Sequence, residues 1–487
     1  MKRLFGTDGI RGAAGVFPLD DGTIERIGRA LATTLRDPGG RPPRVLIGRD
    51  TRESGPAIEA ALGRGLRAAG ARFDSGSVLT TPAVACLTRL LSYDAGIVVS
   101  ASHNTYRDNG LKVFDAKGGK LPDPIEAAIE RLVLDGGAPP GPMTGRTPAS
   151  VTDIGPDPDR GAFPDGPAGH GALAARYLDS LRAVVPAGVS FTGWRVALDC
   201  ANGAAWQLGP DLFRSIGAEV VAIHCAPDGR NINAGCGALH PESLAATVVR
   251  ERARIGFAFD GDADRCLVVD ASGRVLTGDH ILYLAARDLR AAGRLPGDAV
   301  VGTVMSNLWL DQALKAEGMR LLRAPVGDKY VLEELQRGGY TLGGEPSGHL
   351  LFLDRATTGD GLLSAILVLD LLRRTGIDLA AWAASIRPCP QVLVNVPVRE
   401  RPPIDTHPTI GPAVRAEQDR LGTRGRVLVR YSGTEPQARI MVEGESQASV
   451  EECAGRLRAV IREAIGDGDP ACDPDATGEK EKPCPTR

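Results

Sequence analysis

One pattern recurs along this chain and limits what it can fold into: a strand, a helix, a glycine stop and another strand. Arg44-Val45-Leu46-Ile47-Gly48 reads as a strand, Pro56 to Ala69 has helical apolar spacing, and Ala71 to Leu79 returns as a strand. Pro82 to Leu91 and Ala95 to Ser100 add a second helix and a third strand. Strands joined through helices lie parallel, so this reads as βαβαβ. The pattern recurs in Trp194 to Asp199, a helix through Phe213, Gly217-Ala218 and Glu219 to Ile223. It recurs again in Ala299 to Thr303, Leu308 to Glu317, Gly318-Met319 and Arg320 to Leu322. Three copies predict three related mixed α/β domains.

A chain of 487 residues exceeds one core. Gly136 to Pro148 and Gly155 to Gly171 are rich in Gly, Pro and Asp and read as linkers. After Asp370-Leu371-Leu372 the pattern changes. Strands at Gln391 to Val398 and around 426–443, with helices at Ala413 to Leu421 and Ser449 to Ile465, predict a smaller α+β domain. The expected domains are 1–154, 155–253, 254–372 and 373–466, followed by a disordered, proline-rich tail over 467–487.

Composition excludes several classes. Apolar residues make up 43% of the chain, yet none of its runs reaches the ~18 that span a bilayer. Met1 to Asp8 lacks the apolar core of a signal peptide. The nine cysteines are scattered and odd in number, which suits reduced thiols in the cytoplasm. A net charge of −3 argues against nucleic acid as the main partner. The expectation is a cytoplasmic protein acting on neither nucleic acid nor membrane.

Ser102 lies where the strand Ile97-Val98-Val99 gives way to Ser100-Ala101-Ser102-His103-Asn104. Ligands of open α/β sheets gather at the carboxyl ends of strands. A serine hydroxyl there can accept a phosphoryl group and return it. Lys112, shortly after, could neutralise phosphate charge or move a proton. Read alone, the segment is equally a turn, since Ser, Asn and Asp favour turns.

Two apolar strands, Arg254 to Asp260 and Arg265 to Asp270, flank Asp260-Gly261-Asp262-Ala263-Asp264. A tight loop can aim Asp260, Asp262 and Asp264 at one centre, and converging carboxylates need a hard cation. An EF-hand would need Gly and Glu where Arg265 and Ala271 stand. Three carboxylates plus an oxygen of Ser102 or its phosphate suit Mg²⁺. The bland alternative is a solvated acidic turn.

Val427 to Arg430 is a strand running into Tyr431-Ser432-Gly433-Thr434, with Arg439 beyond. Gly433 lets backbone approach an oxyanion, Ser432 and Thr434 supply hydroxyls, and Arg430 supplies a charged fork. Gly343-Gly344-Glu345-Pro346-Ser347-Gly348-His349 follows another strand. Glu345 and Ser347 suit sugar hydroxyls, and His349 can exchange protons near neutral pH; a glycine-rich hairpin is the plain reading. The chain has no GxxxxGK[ST], so no P-loop. Gly63-Arg64-Gly65-Leu66-Arg67-Ala68 lies inside a helical pattern and is no dinucleotide site.

Taken together, these loops resemble those of the α-D-phosphohexomutases. Phe5-Gly6-Thr7-Asp8-Gly9-Ile10-Arg11-Gly12 is similar to that family's opening motif. The Ser102, Asp260, Glu345 and Arg430 loops resemble its phosphoserine, metal, sugar and phosphate loops, in family order. Gly327-Asp328-Lys329-Tyr330 and Cys236 to Glu242 resemble its glucosamine branch. The resemblance spans about residues 1 to 466. It implies four domains around a central cleft, with Ser102 phosphorylated and one Mg²⁺ on Asp260, Asp262, Asp264 and the Ser102 oxygen. Arg11, Lys112 and His349 then belong to the acid–base and charge-stabilising set. Glu345, Ser347 and Lys329 meet the sugar, and Arg430, Ser432, Gly433, Thr434 and Arg439 hold the distal phosphate.

The implied activity moves a phosphoryl group between O6 and O1 of a hexosamine phosphate. It runs through a 1,6-bisphosphate that also serves as activator and feeds cell-wall precursor synthesis. A homodimer is admitted. The alternatives are a mannose- or glucose-directed member, a non-catalytic sugar-phosphate sensor switched at Ser102, and a serine phosphomonoesterase. The sequence departs from the family pattern at three places. Ala263 stands where glycine is commoner, Thr105 where proline is usual, and Pro346 at a variable position. If position 263 needs a positive φ, alanine there costs roughly 1 kcal/mol.

Overall fold

The computed structural model describes residues 4–6, 8–36, 40–135, 170–432 and 436–466. The two linker segments except His170 and Gly171, the 154/155 boundary, Thr7, Gly433, Thr434 and the 467–487 tail lie outside the described residues.

Three sheets repeat one design. The first contains β1 (Ile10–Ala13), β2 (Arg44–Arg49), β3 (Arg72–Val78), β4 (Ala95–Val99) and β5 (Asp108–Asp115), in the order β1-β5-β4-β2-β3. The second contains β6 (Arg195–Asp199), β7 (Glu219–Ile223), β8 (Ile255–Phe259), β9 (Cys266–Asp270) and β10 (Val275–Leu276), ordered β10-β9-β8-β6-β7. The third contains β11 (Ala299–Thr303), β12 (Arg320–Ala324), β13 (Leu342–Gly344) and β14 (Leu350–Phe352), ordered β12-β11-β13-β14. In each, three parallel strands are followed by one antiparallel strand, and that last strand pairs with the third.

The repeat therefore holds at the level of topology. Its consequence is that the Ser102, Asp260 and Glu345 loops are equivalent. Each is the hairpin between the third parallel strand and its antiparallel neighbour. The inner parallel strands β4, β8 and β11 are buried on both faces, so they read as unbroken apolar runs with no exposed residue. Val45, Ile47, Ile97 and Val99 meet Ile58, Leu62 and Leu66 of the helix Gly55–Ala68 in one core. Full burial of each such side chain contributes about 1.5–3 kcal/mol.

Two expected boundaries are corrected. The domain break at 253/254 would assign the aspartate loop to the third unit. Instead β8 pairs with β6 and β9 with β8, so Asp260, Asp262 and Asp264 hang from the second sheet. Before 254 lies a helix, Glu242–Arg250, crossing between parallel strands of that same sheet. The break at 372/373 cuts within the helix Gly361–Thr375, and the first compact unit continues to Ile386.

The second compact unit comprises Asn307–Gln312 and the chain from Arg387 onward. Its sheet contains β15 (Gln391–Pro397), β16 (Arg426–Tyr431) and β17 (Gln437–Glu443), all antiparallel in the order β15-β17-β16. The helix Gln447–Ile465 lays Val450, Cys453, Leu457 and Ile461 on that sheet's core. Ser446 starts it, accepting a hydrogen bond from Ser449 N.

Candidate active site

The serine loop is braced before any ligand is considered. Ser102 adopts a left-handed φ of 53°, and its Oγ donates to Asp260 Oδ2 at 2.6 Å. Arg52, fully buried, pairs with Asp50 at 2.8 Å and donates to the carbonyls of Ser102, Asn104 and Thr105. Asn233 Nδ2 reaches the same Ser102 and Asn104 carbonyls at 2.9 and 3.0 Å from the second sheet. Buried carbonyls need such partners. Sequence reading missed Asp50, Arg52 and Asn233. No local pattern marks them, because what makes them braces is contact with distant parts of the chain.

The aspartate loop packs against the serine loop. A Cβ on Gly261 would lie 2.6 Å from Ser102 O, so glycine is needed for this approach. Thr81 ties the loop down from the first domain, its Oγ1 donating to Asp262 Oδ2 at 2.6 Å. Ala263 sits at φ 57°, the left-handed backbone its replacement of glycine put in question.

One oxygen from each of Asp260, Asp262 and Asp264 lies within 4.8 Å of the others. Asp262 Oδ1 and Asp264 Oδ1 are buried without a hydrogen-bond partner. Burial pushes the Asp260 carboxyl well up, and the facing Asp264 and Asp262 push it further. Such a concentration of acceptor oxygens fits a hard divalent cation. Lys112 Nζ contacts Asp262 at 2.9 Å and Asp264 at 2.8 Å. Burial opposes the lysine's charge, but Asp262, Asp264 and Asp8 outweigh it and hold the ammonium well above its usual value. Burial would likewise raise Asp264, yet Lys112 and His349 hold it well below the usual carboxylate range.

A cavity of about 460 Å³ opens above these loops. Arg11, Ser102, Asp264, Glu345 and His349 line it, with Asp8 and Asp328. Asp8 receives Arg11 at 2.6 Å and Lys120 at 2.8 Å, and Lys120 also reaches Asp328 at 2.6 Å. Lys120 thus links the first and third domains beside the cavity, a role absent from the sequence reading. His349 Nδ1 lies 3.6 Å from Asp264, and its buried Nε2 lacks a hydrogen-bond partner. Burial pushes His349 down, but Asp264 and then Asp328 and Glu345 carry it up to about 9. Burial and then Arg265 and Arg11 push His103 down to about 4, and its Nδ1 lies 3.4 Å from Ser102 Oγ. Glu345 accepts Gly327 N at 3.1 Å.

Not every expected residue joins this group. Lys112 lies beneath the cavity among the carboxylates. Ser347 is exposed and does not line the cavity. Lys329 is bonded to Asp123 at the first domain's helix Asp123–Leu134. In the second compact unit, Arg430 and Arg439 stand opposite each other across β16 and β17. Burial lowers Arg430, and Arg439 lowers it further. Two facing guanidinium groups are relieved by an anion. Ser432 continues that strand pair, its N donating to Gln437 O at 2.9 Å.

Four models of one family match this chain in order. They are described as phosphoglucomutase/phosphomannomutase alpha/beta/alpha domain I over 2–138, domain II over 175–273, domain III over 277–389 and the C-terminal domain over 393–460. The chain belongs to the phosphoglucomutase/phosphomannomutase family, the phosphohexomutases. It is an enzyme of the intramolecular phosphotransferase type. A phosphoglucosamine mutase of Koribacter versatilis is 48% identical over 96% of this chain and 98% of its own length. One from Thermus thermophilus is 48% identical over 95% and 99%. A phosphoglucomutase/phosphomannomutase family protein of Burkholderia thailandensis superposes with TM-score 0.75 at 26% identity, over 95% of this chain and 97% of its own. An Aspergillus fumigatus N-acetylphosphoglucosamine mutase, solved with GlcNAc-6P and magnesium, shares the fold at TM-score 0.60 and 19% identity, over 95% and 96%.

Proposed function

We propose that this enzyme interconverts glucosamine 6-phosphate and glucosamine 1-phosphate in the cytoplasm, through a phosphoserine at Ser102 and a 1,6-bisphosphate. The observation that carries the reading is Ser102 Oγ bonded to Asp260 at a cavity also lined by Arg11, Glu345 and His349. The glucosamine assignment is supported by relatives named for that activity at 43–48% identity along nearly the whole chain.

The phosphoryl group on Ser102 Oγ passes to the free hydroxyl of the bound monophosphate. The bisphosphate turns over. Ser102 Oγ then takes the other phosphoryl group, leaving the isomeric monophosphate. Splitting one transfer into two lets a single nucleophile serve both ends of the sugar. Asp260, Asp262 and Asp264 would hold Mg²⁺ with an oxygen on Ser102, and the ion would offset charge on the transferring group. Arg11 adds fixed positive charge. His349 Nε2 gives and takes the proton of the reacting hydroxyl, and Lys112 keeps the carboxylates at their spacing. Glu345 accepts from a sugar hydroxyl. Ser347 and Lys329 are assigned to the sugar by the family motif alone, since neither lines the cavity. Arg430, Ser432, Gly433, Thr434 and Arg439 hold whichever phosphate is not reacting, which suits charge and hydroxyls without strict direction. The sugar bisphosphate is the activator that recharges Ser102.

Incubation with glucosamine 1,6-bisphosphate followed by peptide mass spectrometry tests the reading. One phosphate on the Ser102 peptide is expected, leaving on addition of glucosamine 6-phosphate. Full turnover with no phosphate on Ser102 would overturn it.

A further inference from the structure

A second cluster of metal-binding side chains lies outside the cavity. Asp199 ends β6, His224 follows β7, and Cys236 precedes the turn Gly237–Leu239. Their donor atoms lie within 4.8 Å of one another. Asp199 and Cys236 are fully buried, whereas the His224 side chain keeps 31% exposure. The local backbone is bent to bring them together. His224 holds φ at 50°, unusual for a residue with a Cβ. Gly237 holds 71°, its N donating to Asp199 Oδ2 at 3.0 Å.

His224 Nδ1 lies 3.0 Å from Asp199 Oδ2, yet it is buried without a hydrogen bond. The two groups approach without a directed bond between them. A shared cation would satisfy both, with Cys236 Sγ as the third donor.

We propose that Asp199, His224 and Cys236 form a second cation site that takes a thiophilic divalent ion of the Zn²⁺ class. Oxygen, nitrogen and sulfur donors together select borderline ions, whereas Mg²⁺ prefers oxygen alone. The two clusters therefore sort cations by softness. Three protein ligands leave a fourth position for water, on the exposed side of His224. Binding forms a metal–sulfur bond and breaks the S–H bond, and the proton leaves to solvent. Because the thiol gives up its proton on binding, affinity rises with pH. The site also borders the serine-loop brace. Asn233 N donates to Ala201 O at 2.9 Å, two residues from Asp199, while the Asn233 side chain holds the Ser102 and Asn104 carbonyls.

Cobalt titration of the full-length enzyme at pH 8, with Mg²⁺ saturating, tests this. A near-ultraviolet thiolate-to-cobalt band is expected to saturate at one equivalent per chain and to be displaced by Zn²⁺. Carboxylates alone give no such band, so the Asp260 loop cannot produce it. Cys236→Ser should abolish the band and keep Mg²⁺-dependent turnover. His224→Ala, at a part-exposed position, should weaken cobalt binding more than about 100-fold, beyond the loss typical of an outer-shell partner. Cys225→Ser should leave the band unchanged. No band in wild type, a band that survives Cys236→Ser in protein with native circular dichroism, or one lost with Cys225→Ser overturns the assignment.

Discussion

Ser102 and Ala263 both hold left-handed backbone, at φ 53° and 57°. Each costs about 1–2 kcal/mol relative to ordinary helical backbone. That cost is offset by Arg52 and Asn233, which bond the carbonyls around Ser102. Ser102→Ala should abolish isomerisation while the melting temperature stays near wild type, because the methyl keeps the turn and loses only the nucleophile. Near-wild-type turnover by this variant would end the phosphoserine mechanism. Asn233→Ala should destabilise the fold by on the order of 1 kcal/mol, since Arg52 still serves both carbonyls. It should lower kcat more than it raises KM, because the serine loop loses its tie to the second sheet. Asp262→Asn should lose most Mg²⁺-dependent activity, and chelator should silence wild type until Mg²⁺ is restored; full activity in chelator contradicts that assignment.

At the scale of elements, the three hairpins explain why so much of the site could be read from sequence. A strand that is buried on both faces is an apolar run, and its polar successor marks the loop. β4 into Ser102 and β8 into Asp260 follow that rule, while β13, only Leu342–Gly344, is marked by its glycines instead. The antiparallel partners were harder. β5 runs Asp108–Asp115, opens on the polar pair Asp108-Asn109 and has Lys112 breaking its short apolar run Leu111 to Phe114, so its apolar signal is weak. Pairing partners depend on distant chain, which is why the aspartate loop was placed one domain too late. The braces Asp50, Arg52 and Asn233 gave no local signal for the same reason. One element also carries a pH prediction. Asp360 caps the helix Gly361–Thr375 through Leu363 N and accepts Tyr177 OH at 2.8 Å. Burial pushes its carboxyl up to about 6, against hydrogen bonds from Leu363 and Tyr177. The folded protein therefore holds this proton more tightly than the unfolded chain. Its contribution to stability is present below about pH 4 and lost as pH rises through 6. Asp360→Asn removes that titration. Relative to wild type, the variant should gain stability between pH 4 and pH 7, by on the order of 3 kcal/mol at most. Urea unfolding at both pH values checks this, and a pH-independent difference contradicts it.

Across the whole molecule, three copies of one sheet each contribute a loop, and bonds between the domains join these loops beside Ser102. Thr81 binds Asp262 across the first and second domains, and Lys120 joins Asp8 to Asp328 across the first and third. This architecture explains phosphoryl transfer on a sugar but not the choice of sugar. Glu345 can accept from hydroxyls common to glucose, glucosamine and mannose, so discrimination has to come from the group at C2. Comparing kcat/KM for glucosamine 6-phosphate, glucose 6-phosphate and mannose 6-phosphate decides which sugar the enzyme takes. Each is primed with its own 1,6-bisphosphate at one Mg²⁺ concentration. Glucosamine 6-phosphate is expected to lead by at least ~10-fold, about 1.4 kcal/mol of transition-state stabilisation. Equal or higher values for glucose or mannose 6-phosphate would contradict it.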